Sequence, residues 1–406
     1  MFENMGLSFR LVDFYREVLI IEVEQSLDIP KLQRRLGGTI KIMAVLDALG
    51  RKKQFGPSAV FKDYFDAKLL KEKILGNLTG KIQLGISLYP MAKQLPLHGE
   101  AKRVGLMLKR ILTAAGFSVR GVLPQLEAIS LPSVTVTNEH LLDHGAELDF
   151  LVGFERIYLA KTLSVQDFED YGRRDYQRPA RDTRIGLLPP KVAQMMLNLA
   201  QLPASAAQNL KAAVLDPFVG SGTILQEAMI MGFKGVGADL AEKAIENAEK
   251  NLSWIKNRYK LPLGRFELYL SDVKDLPKNL PKLSYQAIVT EGTLGPAYSE
   301  PPAEKDIQGN FRVLEKIYLS AFKVFGKILE PGKRIVVALP AYRQDRDYRF
   351  FPVVDKLLKL GYTTVDPLPS VLRERFPFLG VTERNSIIYD RKDQFVSREI
   401  FIFKLM

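Results

Sequence analysis

Val214-Leu215-Asp216-Pro217-Phe218-Val219-Gly220-Ser221-Gly222-Thr223-Ile224-Leu225-Gln226-Glu227-Ala228 is the stretch that decides the fold class of this 406-residue chain. A short apolar run ends in an acid, two glycines follow at alternate positions, and a largely apolar segment takes over directly. Glycine tolerates positive φ and lets a ligand approach the backbone, and the first turn of a following helix carries N–H groups with no acceptor inside the helix. The stretch therefore predicts a buried strand, a nucleotide-type turn and a helix. A Gly-x-Gly turn alone fits a purely structural strand-to-helix connection just as well, so the acids further along have to decide. Gly235-Val236-Gly237-Ala238-Asp239 brings one 19 residues after Gly220, where a carboxylate meets a ribose diol. Leu268-Tyr269-Leu270-Ser271-Asp272 ends the next apolar run with another, suited to an adenine amino group. Three acids at the carboxyl ends of successive strands predict one nucleoside held across the switch point of a parallel sheet. Asp216 would repel a dinucleotide's phosphates but suits a sulfonium cofactor bearing an α-amino group. No Gly-Lys-Ser/Thr follows the turn, so kinase or ATPase chemistry is unsupported.

Outward from this turn, strand-like and helix-like runs alternate over 212–215, 222–231, 235–238, 241–255, 266–270, 287–290, 313–329, 334–339 and 353–360, which predicts a doubly wound α/β sheet. Runs at 386–389 and 399–404 predict a terminal antiparallel hairpin. Pro189-Pro190 opens a helix, since proline is tolerated in a first helical turn. Before that domain the text reads as a smaller α+β assembly. Residues 8–24 have strand character, Asp28-Ile29-Pro30 opens a helix that ends at Gly37-Gly38, and 81–89 forms a strand. A helix carrying Val104, Leu108 and Leu112 breaks at Gly116, and strands are expected at 131–137, 147–153 and 157–163.

The chain has no Cys and only His98, His140 and His144, which excludes disulfide scaffolds, thiolate metal sites and cysteine nucleophiles. His140 and His144 lie four apart without a third ligand of suitable spacing, and are read as surface residues. The apolar run Val18–Ile21 stops at Glu22, and nothing approaches the roughly 18 residues of a membrane span, so a soluble cytoplasmic protein is expected. The formal charge of +12 is uneven, with 22 basic and 20 acidic residues over 1–170 against 36 and 26 over 171–406. An anionic partner is therefore expected on the second half. Residues 171–184 form a basic connector carrying Arg173, Arg174, Arg178, Arg181 and Arg184, which either touch RNA or brace the joint.

The motif Asp216-Pro217-Phe218-x-Gly220-Ser221-Gly222-Thr223 resembles that of class I S-adenosylmethionine-dependent RNA methylases. With Val165-Gln166-Asp167-Phe168, Arg174-Asp175-Tyr176-Gln177-Arg178-Pro179, Arg181-Asp182 and Gly186-Leu187-Leu188-Pro189-Pro190-Lys191, the chain more specifically resembles the THUMP-domain tRNA guanosine-10 (guanine-N2-)-methyltransferases of archaea and eukaryotes. That resemblance implies a ferredoxin-like region at 1–55, a THUMP-like RNA-binding domain at 56–165, a basic linker at 166–190 and a Rossmann-like class I methyltransferase domain at 191–406. It implies S-adenosyl-L-methionine as cofactor, with Asp216, Gly220 and Gly222 on its methionine side, Asp239 at the ribose and Asp272 at the adenine, and with Pro217, Thr223, Leu240 and Val273 as further cofactor-binding residues. It also implies tRNA or another structured RNA as partner, no membrane, and a possible accessory subunit.

Amino-group methylases of this kind carry Asp or Asn followed by Pro-Pro-Tyr/Phe after the fourth strand. Here Thr290-Glu291-Gly292-Thr293-Leu294 stands in that place, with Tyr298 four residues beyond Leu294. An arylamine nitrogen is a poor nucleophile, so the site must accept its N–H hydrogens and hold it in line with the methyl group. Glu291 and Thr290 are the expected catalytic pair. Leu294 and Tyr298, with Arg174, Arg178 and Arg181, are the expected RNA contacts. Three functions remain open on this reading: an active RNA amino-group methyltransferase, an RNA-binding homologue that has lost transfer activity, and a DNA adenine-N6 methyltransferase.

Overall fold

The computed structural model describes residues 8–95, 97–125, 128–181, 187–344, 347–368, 370–376, 378–391 and 394–406. The chain divides into two compact units, Phe9–Glu169 and one built on Asp170–Met406.

In the first unit, β1 (Phe9–Tyr15) and β2 (Val18–Val23) form a hairpin, and β3 (Lys41–Gly50), β4 (Lys81–Pro90), β5 (Ser118–Val122), β6 (Gly145–Val152) and β7 (Arg156–Val165) form a mixed sheet in the order β3-β7-β6-β4-β5. Helix Glu100–Ala114 buries Val104, Leu108 and Leu112 in the same core as Ile82, Leu84, Ile86 and Leu88 of β4. Strand β3 lies on the N-terminal side of the boundary expected at residue 55, yet it pairs antiparallel with β7, so one sheet draws on both sides of that boundary. The 131–137 run, read as a strand from its alternating Val and Thr, is instead helical over Ser133–Asn138. Pro132 fixes the entry dihedral, and only Val136 goes into the core with Leu131 and Leu141, while Val134 stays exposed. Packing overrides the β preference of those residues.

In the second unit, β8 (Ala212–Asp216), β9 (Lys234–Asp239), β10 (Phe266–Leu270), β11 (Ser284–Glu291), β12 (Arg334–Gln344), β13 (Asp347–Phe350), β14 (Tyr362–Thr364), β15 (Ser386–Tyr389) and β16 (Val396–Leu405) make one sheet. Its path is β10-β9-β8-β11-β12-β16-β14, with the first five strands parallel and β16 antiparallel to both neighbours. The expected terminal hairpin is present as β15 on β16. Apolar side chains of β8, β11, β12 and β16 alternate between two cores. Leu215, Ile288, Val337 and Phe403 face helix Glu304–Ile328, whereas Val214, Val289, Val336 and Ile402 face helix Pro190–Leu199. Chain order reverses between β8 and β11, and such a switch point is where open α/β sheets bind ligands, beyond the carboxyl ends of their strands.

Candidate active site

Strand β8 ends at Asp216, and the chain turns through Gly220 at φ +51° and Gly222 at φ +86° into helix Thr223–Ile230. Leu252 Cγ would stand 3.3 Å from a Cβ at position 222, so the second glycine is required both by its dihedral and by the helix behind it. Asp239, at the end of β9, accepts from the Gly220 amide at 3.0 Å and from the Ala241 amide at 3.0 Å. The acid expected at the ribose thus also fixes the turn. Leu240 beside it is 72% exposed. Asp272 accepts from the Lys274 amide at 2.9 Å, two residues past the end of β10, with Val273 buried behind it.

Asp216 and Pro217 are buried. Asp216 Oδ1 accepts from the Thr290 hydroxyl at 2.7 Å and the Phe218 amide at 3.3 Å. Burial raises its pKa from the ordinary 3.8 to about 7, the two hydrogen bonds pull it back in part, and Asp239 and Glu291 add repulsion. Thr290 therefore has its hydroxyl committed to Asp216.

Glu291 ends β11 and is held by Arg398 of β16 in a two-pronged pair, Nε to Oε2 at 2.5 Å and Nη2 to Oε1 at 3.1 Å. Burial pushes the Glu291 carboxyl up, and Arg398 offsets only part of that. A carboxylate has about four lone-pair sites, so this grip orients Glu291 and leaves it able to accept further. Beyond it, Gly292 is where the family motif has its first proline. A Cβ at 292 would lie 2.6 Å from Tyr318 Oη, so any side chain there, proline's included, has to displace Tyr318. Tyr318, on helix Glu304–Ile328, donates to the Thr293 carbonyl at 3.2 Å, and Asn310 of the same helix bonds the Tyr342 hydroxyl and reaches the Leu294 carbonyl at 3.4 Å. Tyr298 packs edge-on against Tyr342 with ring centroids 6.0 Å apart, and both Leu294 and Tyr298 are half-buried. An aromatic and amide framework from a neighbouring helix and strand replaces the stiffness that prolines would give.

The connector arginines separate. Arg174, expected as an RNA contact, is 3% exposed, pairs with Glu227 at 2.5 Å and Asp170 at 3.3 Å, and stacks over Tyr171 at 4.2 Å. Arg178, expected in the same role, is 4% exposed and donates to Thr223 Oγ1 at 2.7 Å. Both are buried, with partners inside the second unit. Arg181 is exposed and stacks over Tyr176 at 4.9 Å, so it keeps the expected accessibility. Arg184 lies outside the described residues. Sequence reading missed Asn251 of helix Glu242–Arg258. Its amide accepts from Ala180 N at 2.9 Å and donates to the carbonyls of Ala180 at 2.8 Å and Ser221 at 2.9 Å, so it clamps the connector to the glycine turn. A polar residue on the buried face of an amphipathic helix was the available signal. Arg398 and Tyr318 carried none, because their partners are 107 and 25 residues away.

Strand order and glycine turn are those of a Rossmann-like, doubly wound sheet. No family model matches the chain. It is similar to a tRNA (guanine(10)-N2)-dimethyltransferase from Methanothermobacter thermautotrophicus, 31% identical over 189 residues that make up 46% of this chain and 48% of that protein. A protein of the same name from Pyrococcus abyssi is 30% identical over 146 residues, 36% of this chain and 38% of that one. The chain thus spans less than half the length of the curated relatives it matches. Among solved structures, a predicted N6-adenine-specific DNA methylase from Listeria monocytogenes is 12% identical, with 83% of each chain covered and a TM-score of 0.43.

Proposed function

We propose that this protein is an S-adenosyl-L-methionine-dependent methyltransferase that acts on an exocyclic amino group, guanine N2, of tRNA. The observation that carries the reading is the convergence of Asp216, the Gly220–Gly222 turn, Asp239 and Asp272 at the carboxyl ends of three adjacent parallel strands, with Glu291 at the end of the fourth. The tRNA methyltransferase relatives support the substrate class.

These residues fit the cofactor. A Cβ at Gly220 would meet nothing nearer than Phe218 O at 4.0 Å, so the turn leaves room for a ligand over its backbone. Asp216 accepts from two neutral donors and offers its charge to an α-ammonium group. Asp239 and Asp272 offer acceptors to the ribose diol and the adenine amino group. S-adenosylmethionine, when bound, supplies the electrophilic methyl group on its sulfonium. Glu291 in its carboxylate form, aimed by Arg398, accepts hydrogen bonds from the target amino group, keeps its nitrogen facing the methyl carbon, and takes the proton released as the N–C bond forms and the S–C bond breaks. Tyr298 and Leu294 flank the place where an extruded base would stack. Arg181 over Tyr176 supplies an exposed basic and aromatic contact for the RNA backbone.

One observation favours a second reading, an RNA-binding homologue impaired in transfer: both oxygens of Glu291 already accept from Arg398. Incubation with methyl-labelled S-adenosylmethionine and undermodified total tRNA, followed by nucleoside analysis, separates the two. The proposal expects label in N2-methylated guanosine that falls at least ~100-fold in Glu291→Ala. Label no higher than in that variant supports the impaired homologue, and label in a parallel duplex-DNA sample instead of tRNA points to an adenine methylase.

A further inference from the structure

Arg178 is buried with most of its hydrogen-bonding capacity unused. Nη1 donates to Thr223 Oγ1, whereas Nε and Nη2 have no partner among the described residues. A guanidinium withdrawn from water to 4% exposure in that state is costly unless something anionic completes it. Burial accordingly lowers its pKa, with Asp175 and Glu227 attracting it only from a distance.

Its position identifies the missing anion. Thr223 is the first residue of the eight-residue helix that follows the glycine turn, so the guanidinium meets the positive end of a helix dipole and first-turn N–H groups with no intrahelical acceptor. The placement is built rather than incidental, because Asn251 ties Ala180, two residues on, to the Ser221 carbonyl of the same turn. The same glycine turn begins at Asp216, a buried carboxylate at the end of β8. The two ends of the turn therefore carry a group that seeks a cation and a group that seeks an anion, which is the charge pattern of an α-amino acid. An RNA phosphate is the poorer candidate, since a backbone phosphate needs an exposed donor.

We infer that Arg178 is a cofactor-binding residue, holding the α-carboxylate of the methionyl end of the cofactor while Asp216 takes the ammonium. This rests on the adenosyl-binding reading above and adds to it a recognition element from outside the sheet. It also makes the connector a wall of the pocket.

The test is calorimetric titration of the full chain with three ligands. S-adenosylhomocysteine has both carboxylate and ammonium, its decarboxylated amine analogue keeps only the ammonium, and 5′-methylthioadenosine has neither. Arg178→Met is expected to weaken S-adenosylhomocysteine about 10- to 100-fold, the worth of a charge-assisted pair, and to leave the decarboxylated analogue within about 2-fold of wild type. Arg178→Lys should recover part of the loss. The unfolding temperature of ligand-free Arg178→Met should not fall, whereas its rise on adding S-adenosylhomocysteine should shrink. Equal losses for both ligands, or no loss for either, overturn the inference. Should Arg178→Met fail to fold, the wild-type protein decides alone. It must prefer S-adenosylhomocysteine to the decarboxylated analogue by the same 10- to 100-fold, and equal affinities overturn the assignment. A variant that loses tRNA affinity while keeping S-adenosylhomocysteine affinity overturns it in favour of a phosphate contact. Wild-type protein that binds none of the three sinks the adenosyl reading itself, an outcome distinct from the others.

Discussion

The ends of β8, β9 and β10 and the loop after β11 lie at the same edge of one parallel sheet, but they are shaped by different means. At the first three ends the backbone does the shaping: two glycines adopt left-handed dihedrals, and Asp239 anchors the turn through the Gly220 amide. After β11, side chains do it. Arg398 aims Glu291, Tyr318 fills the space above Gly292, and Asn310 and Tyr342 support the segment from Leu294 to Tyr298. A site defined by dihedral angles admits few residues, whereas one defined by neighbouring side chains can be rebuilt with others. This is the physical reason that the glycine motif matches the resembled family letter for letter while the amine motif does not.

Breaking the rebuilt half should have the largest effect. Arg398→Met leaves Glu291 buried without its counter-charge and should cost about 3–5 kcal/mol in urea unfolding, with Glu291→Gln on top recovering a large part. Stability equal to wild type would show that the pair does not hold the loop. A side chain at 292 comes next. Gly292→Ala drives a Cβ against Tyr318 and should cost about 1–3 kcal/mol, but clearly less in a Tyr318→Leu background. Additive costs in that cycle would remove Tyr318 from the explanation.

On the cofactor half, pH sharpens the contrast. Asp216 must ionise to pair with an ammonium group, so S-adenosylhomocysteine affinity should fall as pH drops below about 7, approaching tenfold per unit, and Asp216→Asn should flatten the profile. Ligand-free stability should move the other way. A carboxyl with a raised folded-state pKa takes up a proton on folding, so its contribution is lost as pH rises from about 4 through 7. The two slopes, read by calorimetry and by thermal unfolding, must be opposite in sign. The smallest effect is expected from Asn310→Ala, which removes the support beneath Leu294 and should cost about 1 kcal/mol while leaving S-adenosylhomocysteine affinity unchanged.

The same contrast explains what could be read from the residues alone. The strands from β8 to β12 were legible along the chain, because each is a short apolar-rich string followed by a turn signal. Asp216, Gly220, Gly222, Asp239 and Asp272 could be found because their spacing is dictated by chain direction in a parallel sheet. Glu291 could be found as an acid but not as one half of an ion pair, since Arg398 arrives from the last strand. Arg174 and Arg178 looked like an RNA-binding run because charge in a connector reads as surface, and nothing local told that Glu227 and Thr223 would receive them inside. The Ser133–Asn138 helix was misread for the same reason, a local β signal overruled by which side chains the core admits.

The central claim is that one pocket at the ends of β8, β9 and β10 binds an adenosyl sulfonium. Equilibrium dialysis of the folded protein against methyl-labelled S-adenosylmethionine tests it most directly. The account predicts saturable retention of one equivalent, displaced by S-adenosylhomocysteine and abolished in Asp216→Ala. No retention by wild-type protein, or retention undiminished in Asp216→Ala, would contradict it.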